Sequence, residues 1–243
     1  MIEAAALSKR FGTVDAVRDV SFVARDGEIT GLLGPNGAGK STCLRMMYGV
    51  LAPGGGCARV DGLDVRGETS AARAHLGVLP HAAGLYGNLT ARENIDYFGS
   101  LHGMARARLN LRTAELARAL GMESFMGRRV KGFSQGQRIK VALARALVHD
   151  PGNLILDEPT NGLDVMATRG LRDILRTLKA EGRCILFSSH VMQEVAALCD
   201  RVVIIGHGRV LADGTPEAIR EQSGAPSLEE AFLRVLGDTE GVG

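Results

Sequence analysis

Short apolar runs rich in β-branched residues alternate along the chain with stretches of helical spacing. That pattern belongs to an α/β protein with a largely parallel sheet. The runs predict strands at Ile2–Leu7, Val20–Ala24, Glu28–Leu33, Ala58–Val60, Leu76–Leu79, Asn153–Leu156, Arg183–Ser188, Arg201–Ile205 and Arg209–Ala212. From about Asn88 to Val148 the alternation stops and only helix signals remain. Thr90-Ala91-Arg92-Glu93 is a capping box ahead of an apolar-periodic segment. Leu109–Leu120 follows with helical spacing, and Gly121 is placed to end it. The middle of the chain therefore reads as an all-helical insertion into an α/β body. After Thr215-Pro216, a cap followed by a helix-starting proline, two short helices are predicted. The second, Leu228–Leu236, opens on a further capping box from Ser227 to Glu230.

Composition narrows the function classes. With 45% hydrophobic and 23% charged residues over 243 positions, the chain is an ordinary globular sequence able to bury a substantial core. Its strongest apolar stretches, Leu154–Leu156 and Val202–Ile205, suit buried strands and fall far short of the ~20 residues that cross a bilayer. The first residues carry no basic region followed by an apolar run, which predicts a cytosolic chain. Cys43, Cys57, Cys184 and Cys199 share no metal-binding spacing and read as free thiols in a reducing compartment. A net charge of +2 is too small to mark a nucleic-acid binder. Only five of the 29 basic residues are Lys, which makes each one worth locating.

One of them closes Gly34-Pro35-Asn36-Gly37-Ala38-Gly39-Lys40-Ser41-Thr42, which fits the phosphate-binding pattern G-x-x-x-x-G-K-[ST]. It follows an apolar strand and precedes the helical stretch Ser41–Tyr48, the context the motif requires. Small residues let backbone N–H groups close around a phosphate, and the helix N-terminus adds partial positive charge. Lys40 would neutralise the β- and γ-phosphates and Ser41 would ligand Mg²⁺. A chance match within a Gly-rich turn is the competing reading, and the strand–loop–helix context weighs against it. Asn153–Leu156 leads into Asp157-Glu158, two acids at the carboxyl end of a strand, where open α/β sheets bind ligands. Asp157 is placed to hold Mg²⁺ through a water and Glu158 to act as general base on the attacking water.

With these residues in view, the sequence resembles the nucleotide-binding subunits of ABC transporters over nearly its whole length. Phe133-Ser134-Gln135-Gly136-Gln137 resembles the family signature, opens a predicted helix at Gln135–Val148 and lies 23 residues before Asp157. Asn161-Gly162-Leu163-Asp164 resembles the D-loop, and Ser188-Ser189-His190 the switch histidine, 32 residues past Glu158. Phe11 stands where the family stacks an aromatic on adenine, with Val17 lining the same pocket; a core Phe is the competing reading. The resemblance implies a P-loop NTPase core of the ABC type, with a mostly parallel sheet, an N-terminal antiparallel β portion and the helical insertion. As one nucleotide-binding domain over 1–243, it would divide into a RecA-like β core at 1–87 and 149–214, a helical subdomain at 88–148 and a helical extension at 215–243. It further implies that Ser134, Gly136, Gln137 and Asp164 reach ATP held by a second ABC subunit, identical or not, across a head-to-tail dimer. ATP and Mg²⁺ are then the cofactors, and an integral membrane subunit is the partner. The chain would sit in the cytoplasm on the inner face of the membrane.

One position departs from the family pattern. The Q-loop glutamine should follow Leu76-Gly77-Val78-Leu79-Pro80, and position 81 is His. Neutral His81 could ligand, whereas a protonated His81 would set a cation beside Mg²⁺. Gln135 in place of Gly is a milder departure. Gly84-Leu85-Tyr86 and Leu89–Asn94 resemble the ATP-binding subunits of sodium-extrusion (NatA-like) and drug-export systems, which implies an exporter. The alternatives are a soluble ABC-type ATPase acting on nucleic acid, ribosomes or cofactor assembly, and a regulatory protein that binds nucleotide without hydrolysing it. The first generally carries a second cassette, zinc-binding cysteines or a basic extension; the second would show damage at Glu158 or His190.

Overall fold

The computed structural model describes residues 1–82 and 84–240, which form two sheets with helices between and around them. The chain opens with antiparallel strands β1 (Ile2–Phe11) and β2 (Val14–Ala24), then enters the central strand β3 (Ile29–Leu33) and helix α1 (Lys40–Met47). Strands β4 (Gly55–Val60) and β5 (Leu63–Asp64) complete a four-stranded antiparallel sheet of order β2-β1-β4-β5. Helix α2 (Thr69–Ala74) leads to β6 (Leu76–Leu79). Helices α3 (Ala91–Leu101), α4 (Arg106–Ala119) and α5 (Gln135–Leu147) then precede β7 (Asn153–Asp157). The remainder is α6 (Val165–Ala180), β8 (Cys184–Ser189), α7 (Met192–Leu198), β9 (Arg201–Gly206), β10 (Arg209–Gly214), α8 (Pro216–Gln222) and α9 (Leu228–Glu240).

The second sheet has the order β10-β9-β3-β8-β7-β6, parallel from β9 to β6 with β10 as an antiparallel edge. Every residue of β3, β7 and β8 is buried, as expected for parallel strands covered on both faces. On one face α1 is sandwiched between the sheets: Cys43, Leu44 and Met47 pack with Ile2, Leu7 and Phe22 and with Leu32, Ile155 and Leu186. The other face is covered by the helices, with Leu143, Leu147, Leu171 and Leu175 against Leu154, Ile185 and Phe187. Register brings the working ends together. Leu33 pairs with Ser189, Asp157 with Ser188, and Leu79 with Leu156, so the loops after β3, β6, β7 and β8 leave from one edge.

Most elements coincide with the sequence expectation, and the differences have physical causes. Strand β2 starts at Val14, six residues earlier than its apolar run, because register shifts in β1 and a left-handed Asp19 (φ 54°) break the alternation. Strand β5 and helices α2 and α7 were not anticipated, since two, six and seven residues are too short to show a period. The capping box at Thr90 forms as expected, Ser134 and Gln137 form a further one at the start of α5, and Gly121 follows α4 with φ 59°. All four cysteines are unpaired thiols.

Candidate functional site

The loop between β3 and α1 is shaped by its neighbours in the fold. A Cβ on Gly34 would sit 2.3 Å from the Ile205 carbonyl oxygen, and one on Gly39 would sit 2.4 Å from that of Ala16. Gly39 also has φ 104° and Gly37 φ 80°, conformations that disfavour a side chain. The loop is thus wedged between β2 and β9 and delivers the start of α1, which has no side-chain cap, to the sheet edge. Lys40 is the first residue of that helix and is 5% exposed. Its Nζ donates to the carbonyls of Gly34 (2.7 Å) and Pro35 (3.0 Å) and lies 3.9 Å from Glu158 Oε1. Burial pushes the ammonium pKa down, while Glu158 and Asp157 pull the other way.

Asp157 ends β7 and is almost fully buried. Its Oδ1 accepts from the Ser41 hydroxyl (3.1 Å) and the Ser188 hydroxyl (2.7 Å), whereas the buried Oδ2 has no partner. A buried carboxylate oxygen without a donor is costly. Beside the Ser41 hydroxyl it offers the hard oxygen set that Mg²⁺ prefers, so the residues present fit that ion. The chain turns sharply after Asp157: Glu158 has φ 50°, and its N–H donates to Ser188 Oγ at 3.0 Å. This turn aims the Glu158 carboxylate back into the cleft, with Oε1 3.3 Å from His190 Nδ1 and Oε2 3.9 Å from His81 Nδ1. Asn36, Ser41, Arg45, His81, Glu158, Asn161 and His190 line a cleft of about 510 Å³.

Three contributors were not assigned roles from the sequence. Arg45 lies one helical turn beyond Ser41, a spacing that could have marked it as facing the same cleft. Asn161 belongs to the segment quoted for the D-loop, and Ser188 pairs with Asp157 across the β7–β8 register. Several expected residues lie away from the cleft lining. Phe11 is 49% exposed with Lys9 Nζ 5.5 Å from its ring centroid, so the core reading of this residue does not hold. Val17 is buried and packs in the core between the sheets, near Gly39, so it backs the phosphate loop. Ser134 and Gln137 cap the start of α5 through reciprocal bonds of 3.3 and 3.1 Å. A Cβ on Gly136 would lie 3.3 Å from Ala167, and Asp164 accepts from the Ala167 N–H at 2.8 Å. Those four residues form a second surface where α5 and α6 begin.

A glycine-rich loop between a buried strand and a helix, an inward lysine, and a serine–aspartate pair facing a second acid define a P-loop nucleotide-binding α/β protein. Residues 17–161 match the family described as ABC transporter, and the chain belongs to that family as an ATP-binding subunit. It is 44% identical over 241 residues to the ABC transporter ATP-binding protein NatA of Bacillus subtilis (strain 168), covering 97% of this chain and 98% of NatA. It is 41% identical over 218 residues to the Nod factor export ATP-binding protein I of Paraburkholderia xenovorans (strain LB400), covering 90% and 72%. A solved ATP-binding subunit of an ABC transporter superposes with a TM-score of 0.88 at 32% identity, covering 97% and 99%. Among the described residues no helix is long and apolar enough to cross a membrane.

Proposed function

We propose that the chain hydrolyses ATP in a dimer of cassettes and thereby drives export through a separate membrane subunit, working at the cytoplasmic face of the membrane. The observation that carries this reading is the convergence on Glu158, whose carboxylate lies within 4 Å of Lys40, His81 and His190 beside the partnerless oxygen of Asp157. Lys40 would exchange the Gly34 and Pro35 carbonyls for phosphate oxygens. Ser41 and Asp157 would hold Mg²⁺, which supplies neutralisation of the charge on the β- and γ-phosphates. Glu158 would take a proton from the water attacking the γ-phosphorus as the bond to the β–γ bridging oxygen breaks. ADP and inorganic phosphate leave. His190 would keep the Glu158 carboxylate aimed at that water.

Phe11, at the exposed end of β1, would stack on the adenine. Ser134, Gly136, Gln137 and Asp164 would meet the nucleotide of a second subunit, since they lie outside the cleft of their own chain. ATP then binds the closed pair better than the open one, and hydrolysis releases it. The name of the Nod factor export relative supports the direction of transport, and the membrane subunit would select the cargo. Glu158→Gln should retain ATP binding, lose nearly all turnover and accumulate an ATP-bound dimer on size-exclusion chromatography. Turnover at the wild-type rate in that variant would refute the assignment.

A further inference from the structure

Helix α5 carries Ser134 at its start and, near its end, a buried cation that the proposed chemistry does not use. Arg145 is 7% exposed, and among the described residues no carboxylate lies within salt-bridge reach of it. Burying an unpaired guanidinium is unfavourable, and an apolar residue of similar size would pack there at lower cost. What Arg145 does offer is geometry. Its Nη1 donates to the Gly84 carbonyl at 3.1 Å, and the guanidinium lies 4.5 Å from the Phe98 ring centroid on α3. Gly84 lies three residues after His81. The segment that follows is bound to the same helical layer. Asn94, fully buried, accepts from the Tyr86 N–H at 2.9 Å and donates to the Tyr86 carbonyl at 3.1 Å. Lys131 and Val130 donate N–H groups to the carbonyls of Gly87 and Leu89.

The other flank of His81 rests on α5 as well. Strand β6 ends two residues before it, and Gly77 in that strand exists to let α5 approach: a Cβ there would sit 2.4 Å from the Ala146 carbonyl oxygen. Strand β6, which leads into His81, thus packs closely on α5 at Ala146, and Gly84, three residues past His81, is bonded to Arg145 of the same helix. We infer that Arg145 is a positioning residue for His81, pinning its loop to the helix whose far end bears Ser134, so that the His81–Glu158 distance is set by the seat of α5. This inference rests on the hydrolytic reading above. It leaves nucleotide binding out, because Arg145 touches no residue of the phosphate loop.

The test is a double-mutant cycle in the full chain, with ATP turnover measured for Arg145→Met, Arg145→Lys, His81→Ala and the His81→Ala/Arg145→Met pair. Arg145→Met should lower kcat about 10- to 100-fold, the scale on which a displaced catalytic group costs rate. KM for ATP should stay within about 2-fold, because ground-state binding is untouched. Arg145→Lys, which keeps one donor and the charge over Phe98, should restore part of the loss. The pair should be no slower than His81→Ala alone, since Arg145 acts through His81. An unchanged kcat in Arg145→Met, or losses that multiply in the pair, would overturn the inference. Should Arg145→Met fail to fold, the cycle with Arg145→Lys carries the same comparison. Amide hydrogen exchange distinguishes this failure from that of the hydrolytic reading. Even in a chain without turnover, Arg145→Lys must speed exchange at Tyr86 and Leu89 while leaving the 34–42 loop unchanged, and equal protection there would also overturn it.

Discussion

Protonation of one half-buried imidazole should make the fold acid-sensitive in a defined window. His149 follows α5 and stacks face to face on His102, with ring centroids 3.7 Å apart and planes 5° from parallel. Its Nε2 lies 3.2 Å from the Leu76 carbonyl, which can only accept, so Nε2 carries the hydrogen and the buried Nδ1 is left without a partner. Burial, then the neighbouring His102, push the His149 pKa down to about 4, against a smaller upward pull from the Leu76 carbonyl and Asp150. Burial lowers His102 too. The cleft around them adds Arg73, Arg145 and Tyr48, none of which carries a negative charge at acid pH. Between pH 6.5 and 4 the unfolded chain binds a proton at His149 that the folded chain does not, so stability falls as pH drops through this window and levels off below it. The full drop corresponds to at most about 3 kcal/mol, and to about 2 kcal/mol once the partial exposure of the ring is allowed for. Urea unfolding of the wild type and His149→Gln, whose amide keeps a donor for Leu76, should be compared from pH 7.5 to 4. The wild type should lose about 2 kcal/mol more than the variant across the window. Parallel pH profiles would refute the reasoning.

Two further outcomes concern the phosphate loop. Lys40→Ala should weaken ATP binding by about 100-fold or more, as expected on losing charge-assisted bonds to phosphate, while the melting temperature changes little because the buried ammonium is itself poorly solvated. Isothermal calorimetry checks the first and a thermal melt the second. Gly39→Ala should be far worse than Gly37→Ala. The former adds a clash 2.4 Å from a backbone oxygen to its positive φ, whereas the latter meets nothing within 4 Å and should cost only about 1–2 kcal/mol of backbone strain.

Much of this site was legible because its chemistry is local. The segment Gly34–Thr42 announces itself in nine consecutive residues, and Asp157-Glu158 gains meaning from the apolar strand before it. The largely parallel sheet and the helical stretch between β6 and β7 followed from periodicity in the same way, whereas the separate antiparallel sheet was expected only from the family resemblance. What escaped depends on contacts between distant segments. Ser188 matters because strand register sets it opposite Asp157, 31 residues away. Asn94 looks like a surface residue in a capping-box helix, yet it is fully buried and holds Tyr86 by both backbone groups. Arg145 lies in an alanine- and leucine-rich run where only the packed structure tells a buried cation from a solvated one. The early part of β2 was hidden by charged residues and a bulge, which erase the two-residue period.

The left-handed backbone at Glu158 sets two selective pressures against each other. A residue with a Cβ held at φ 50° costs on the order of 1 kcal/mol or more, which glycine would recover and asparagine would partly recover. Both replacements abolish the carboxylate. With Glu158 as the proposed general base, a library of this chain sorted only for heat resistance would therefore enrich sequences without that base, and the glutamate would persist only under selection for turnover. At residue 158 thermal hardiness becomes a marker of disrepair, so engineering of this cassette should hold that position fixed and seek its gains elsewhere.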